Sequence, residues 1–128
     1  MVSRVDIART LLDLGLKPRF KGFGVLIQVL LLTTADPSTL YGITTVVYPT
    51  VAQDIGIKAA SVERNIRTAL LSTAFRTGTP LAQKLFYDYD MLDTPTNSEF
   101  ISIVTLYLLT NIASHPEAYD VNQASNNM

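Results

Sequence analysis

The sequence predicts an all-α domain, a compact bundle of about six helices that contains a helix-turn-helix. Three observations carry that class. Apolar residues recur at helical spacing along most of the chain, Ser, Thr, Pro and Gly punctuate the recurrences where helices start and stop, and no segment alternates convincingly with period two. With 128 residues and 48% hydrophobic content, one core is expected to form without staples. Residues 1–113 are read as this domain and 114–128 as a flexible acidic and polar tail.

Ser3 and Asp6 stand at capping-box spacing, Val5, Ala8, Leu11 and Leu12 supply an apolar stripe, and Gly15 sits where a helix would stop. The first helix is therefore expected over about residues 4–14. After "LKPRF", the stretch from Lys21 to Ala35 is apolar nearly all round, as a central helix would be, and Pro37 closes it by disfavouring helix at Asp36.

A third helix fits Thr39 to Val47. Tyr48-Pro49 then permits a very short one with Pro near its first turn, Val51, Ala52 and Ile55 turned inward and Gly56 at its end. From Ala59 to about Arg76, the positions Val62, Ile66, Ala69, Leu70 and Thr73 keep one face. Short helix, Gly turn and longer helix together make the helix-turn-helix.

Pro80 to Phe86 is read as another short helix and "YDYDMLDTP" as a loop. "TNSEFISIVTLYLLTNI" is a final helix with Thr96 and Glu99 at capping-box spacing, stopped by His115-Pro116.

Several chemistries are excluded. There is no cysteine, hence no disulfide or thiolate metal site, and the N-terminus lacks the regions of a signal peptide, so an intracellular, cytoplasmic protein is expected. The apolar run Phe23 to Leu32 is about half the roughly 20 residues a bilayer crossing needs, so no membrane partner is expected.

One histidine, His115, leaves no material for a triad or multi-histidine site. Asp88, Asp90 and Glu99 coincide with positions 1, 3 and 12 of a calcium loop, but Leu92 and Asp93 break its centre. "KGFG" lacks the spacing and ending of a phosphate loop. Neither an enzyme nor a cofactor is expected.

The net charge of −1 hides a split: residues 1–84 hold all ten Lys and Arg against five acids, whereas 85–128 hold six acids and no base. On the longer helix of the helix-turn-helix, steps of about 100° place Ser61, Arg64, Arg67 and Thr68 opposite the apolar face or on its edges. Arginines and hydroxyls suit guanine or phosphate, Glu63 suits cytosine, and Lys58 beside the helix start favours a phosphate. The same set also describes an ordinary solvated helix face.

"KG" at Lys21-Gly22, "GITTVVYPTVA" from Gly42, "VERNIRTA" from Val62 and "PTNSEFI" from Pro95 occur in an order that resembles one family. It is the C-terminal effector domain of the sporulation-initiation response regulator of endospore-forming Firmicutes. The similarity runs from about Ile7 to Leu108. It implies an all-helical domain whose helix-turn-helix enters the major groove of double-stranded DNA at short, often tandem sites.

Glu63, Arg64 and Arg67 match family residues on the DNA-facing side of the recognition helix. Ala60, Ser61 and Thr68 stand where familiar members have Ser, Arg and His. Gln53-Asp54 replaces two lysines, Lys58 a threonine suited to capping, and Leu71 an acid.

The expectation is a sequence-specific DNA-binding transcriptional regulator with altered site choice, using Lys58, Ser61, Glu63, Arg64, Arg67 and Thr68, with homodimeric or tandem binding open. The alternative is a divergent member that pairs with a protein or itself through the same face, including Leu71. No phosphoacceptor region precedes the resemblance, so a domain without a receiver is expected, either stand-alone or cut from a longer regulator.

Overall fold

Ser3 starts the first helix, α1 (Arg4–Asp13), with a full capping box: its Oγ accepts from the Asp6 N–H at 3.1 Å and its own N–H donates to Asp6 Oδ2 at 2.9 Å. The computed structural model describes residues 1–87 and 94–113; the expected tail, His115, most of the "YDYDMLDTP" loop and the first two calcium-loop positions lie outside them. Among the described residues there are six α-helices and no strand.

In α1 the buried face is Ile7, Thr10 and Leu11, joined by Leu14 just beyond, while Val5 and Leu12 are exposed. The expected stripe was therefore rotated. Val5 lies about 200° and Leu12 about 140° from Ile7 around the helix, so neither can share its narrow contact with the core.

The core is built around α2 (Lys21–Ala35), whose bounds match the expectation. Its residues Leu26, Val29, Leu30 and Thr33 are fully buried, and it touches α1, α3, α4 and α6. In the seam with α6 the Thr33 and Thr105 hydroxyls are 2.8 Å apart and both are buried. No single helix among the described residues is long and apolar enough to cross a membrane.

The expected third helix is not a separate α-helix. Pro37–Gly42 forms a 3-10 turn, Ile43–Val47 widens into a π turn, and this runs without a break into α3 (Tyr48–Ile55). Pro49 offers a physical reason: its ring clashes with the carbonyl four residues back in an ordinary α turn, and the Tyr48 N–H bonds five residues back, to Ile43, instead. Tyr48, Val51 and Ala52 face the core, but Ile55 is exposed at the helix end, contrary to expectation.

Gly56, at φ +75°, adopts the left-handed turn that closes α3, with the Ile57 N–H on the Ala52 carbonyl at 3.0 Å. The next helix, α4 (Ala59–Leu71), buries Val62, Ile66, Ala69 and Leu70 as its spacing predicts. It stops some five residues earlier than expected. Ser72 and Thr73 turn their hydroxyls back onto the Thr68 and Ala69 carbonyls at 2.9 and 2.8 Å, supplying those acceptors with partners near the helix end.

The helix α5 (Pro80–Leu85) is capped by the Thr79 hydroxyl, and α6 (Asn97–Leu108) by the expected Thr96–Glu99 box, with a π turn at Leu109–Ala113. Glu99 thus serves as a cap. The Phe75, Phe86 and Phe100 rings, with centroids 4.9 to 5.9 Å apart, join the end of α4 to α5 and α6.

One close approach positions α4. A side chain on Gly22 of α2 would overlap the Asn65 carbonyl oxygen and lie 2.7 Å from the Ala69 Cβ, whereas one on Gly24 would meet open space. Gly22→Ala is expected to lower the urea unfolding free energy by about 1–3 kcal/mol or more. Gly24→Ala is expected to raise it by about 0.5–1 kcal/mol, because it only removes glycine's entropic cost in a helix.

Candidate nucleic-acid interface

Lys58 begins the outward-facing side of α4. It occupies the N-cap in extended backbone (φ −81°, ψ 150°), and no side chain caps the helix there. A threonine at this position would cap; a lysine has only donors and leaves the first amides and the positive end of the helix open.

Glu63, Arg64 and Thr68 are exposed, and Ser61 is half-buried. Arg64 Nη2 donates to the Ser61 hydroxyl at 3.2 Å, an exposed bond within one turn. Leu71 is 62% exposed at the far end of the helix. On α3, Gln53 and Asp54 are exposed as well, so an anion stands beside this face.

Arg67 is placed differently. It is half-buried, and its Nη1 donates to the Pro95 carbonyl at 2.8 Å, just before α6. Two residues further on, Asn97 is buried and its Nδ2 donates to the Glu63 carbonyl at 3.0 Å. The two bonds land one turn apart on α4. A cleft of about 500 Å³ opens above this joint, lined by residues of α4, Thr44, Tyr48 and the start of α6.

Tyr48 and Asn97 are both buried in that cleft. Burial pushes the Tyr48 phenol above the usual value of 10.0, Asn97 pulls it back, and the Glu63 charge raises it further. The Asn97 Oδ1 beside it is buried and has no hydrogen-bond partner among the described residues.

The structure also brings together cations that the sequence reading left unassigned. Arg19 and Lys21 line a hollow of about 240 Å³ with Asn65 and Thr68 of α4, and Arg19 rests over the Phe20 ring at 5.1 Å. The signal was present in "KPRFK", but α1 and α2 had to be docked before the basic run could be seen to flank α4. Of the six residues expected at the site, Lys58, Ser61, Glu63, Arg64 and Thr68 share the outward side, and Arg67 is turned toward α6.

A short helix, a left-handed glycine turn and a second helix with a cationic outer face define a helix-turn-helix domain. The chain matches the family described as the sporulation initiation factor Spo0A C-terminal domain over residues 7–108, and it belongs to that family. The fold is thus that of a DNA-binding effector domain of sporulation regulators.

The raised Tyr48 value has a consequence for stability. A phenol that ionises less readily in the folded state adds stability that is intact below its unfolded value and lost as pH rises through the folded one. As pH rises through and above 10.0, urea midpoints are expected to fall more steeply for the wild type than for Tyr48→Phe.

Proposed function

We propose that this chain is a sequence-specific transcriptional regulator that lays α4 in the major groove of double-stranded DNA, with a site choice different from that of familiar family members. The observation that carries the reading is the open side of α4, where Lys58, Arg64 and Thr68 are exposed beside half-buried Ser61, and the Arg64 guanidinium bonds to the Ser61 hydroxyl within its own turn.

Arg64 is the anchoring cation, free to exchange its local bond for a guanine edge or a phosphate. Ser61, Glu63 and Thr68 tune sequence choice, and Lys58 takes a phosphate beside the open helix start. Arg19 and Lys21 supply backbone contacts on the other flank, which offsets the cations that Gln53 and Asp54 do not provide. Such a regulator acts in the cytoplasm, with homodimeric or tandem binding open to it.

A second reading is favoured by one observation, the 62% exposure of Leu71 where the family carries an acid: the same face pairs with a protein or with itself. That pairing is insensitive to salt, whereas DNA binding weakens steeply as salt rises.

Fluorescence anisotropy on duplexes selected from a genomic library, at two salt concentrations, separates the two. The wild type is expected to prefer a selected duplex over its scrambled counterpart, and Arg64→Ala to lose about 1–3 kcal/mol of that preference. Equal affinity for selected and scrambled duplexes, together with salt-insensitive self-association in sedimentation, would sink the DNA reading.

A further inference from the structure

We infer that Arg67 and Asn97 are positioning residues that set how α4 meets DNA, and that Arg67 itself makes no DNA contact; this rests on the DNA-binding reading above. Arg67 shares the helix with Arg64, and spacing alone gives the two the same role. Their surroundings differ.

Arg64 is exposed and bonded to a neighbour on its own turn. Arg67 is half-buried and bonded across 28 residues to the carbonyl of buried Pro95. A charge-assisted, part-buried bond to the Pro95 carbonyl holds the guanidinium in place, and releasing it toward a phosphate would take that donor away.

Asn97 makes the reciprocal bond, from α6 to the Glu63 carbonyl one turn earlier on α4. The segment that carries both partners is itself rigid, because Thr96 and Glu99 close a capping box around it with bonds of 2.8 and 3.1 Å. On the opposite side, Gly22 admits the backbone of α4 at Asn65. Held from α2 and α6 together, the helix has one orientation in which to present Ser61 and Arg64. The charge of Arg67 is spent on that orientation.

Salt-dependent anisotropy distinguishes a clamp from a phosphate contact. Lys58→Ala, at the residue assigned to a phosphate, is expected to make the slope of log affinity against log salt shallower by about 0.9, the value for one phosphate. Arg67→Ala is expected to leave the slope unchanged while cutting the preference for the selected duplex about tenfold. Uncharged Asn97→Ala should reproduce that loss, and Arg67→Lys should not restore it.

The inference is overturned if Arg67→Ala flattens the slope as Lys58→Ala does and Arg67→Lys recovers it, or if Asn97→Ala keeps full preference. Urea unfolding of the same variants keeps the clamp testable even if the wild type prefers no duplex, an outcome that removes the DNA reading alone. The Arg67→Ala and Asn97→Ala effects on stability should be non-additive, and strict additivity counts against the clamp.

Discussion

The outer helix α4 lies against α2 at a point where the core helix has no side chain, and much of the molecule depends on that contact. At Gly22 the two backbones approach so closely that even a methyl group would overlap the Asn65 carbonyl. Because α2 also touches α1, α3 and α6, its position is set by the whole bundle, and Gly22 hands that position to α4. Packed interiors deform little, so a helix seated this way cannot drift by a fraction of a turn. The α6 contacts at Glu63 and Arg67 complete the seat from the other side.

This seating explains how one helix can carry both core and site duties. Its inner face, Val62, Ile66, Ala69 and Leu70, is as buried as any part of the core. The outer face needs no rigidity of its own, since each turn inherits it from the inner face. Cations are distributed accordingly. Arg64 stays in water, Arg67 is spent on the Pro95 carbonyl, and Arg19 with Lys21 reaches the flank from another part of the chain. In the fold, Arg19 and Lys21 of the basic stretch flank α4 on one side, while exposed Asp54 stands beside it on α3.

Much of this was legible in the sequence. The helices α2 and α6, the caps at Ser3 and Thr96, the glycine turn at Gly56 and the buried stripe of α4 follow from local rules, because capping, turn geometry and helical period act within a few residues. What could not be read depends on partners far along the chain. The rotation of α1 that exposes Val5 and Leu12 is settled by docking on α2. The widened turn before Pro49 requires tracing a backbone bond from Tyr48 to Ile43. For the site, spacing identifies which residues face away from Val62 and Ile66, but a 100° step cannot tell open solvent from the start of another helix. That is why Arg64 and Arg67 look alike in sequence and differ in surroundings.

The buried hydroxyl pair between Thr33 and Thr105 gives this arrangement a fixed height. Apolar side chains along a helix seam tolerate sliding, since one methyl group packs about as well as another. A buried hydrogen bond in that seam does not, and separating it would strand two buried hydroxyls at about 1–3 kcal/mol each. Asn97 lies eight residues before Thr105, about 12 Å along α6 at helical rise. Pinning Thr105 to Thr33 therefore also pins how far the start of α6 projects beyond α2. The bond is a ruler laid in the core: it measures out where Pro95 and Asn97 stand, and so the tilt at which α4 faces its partner.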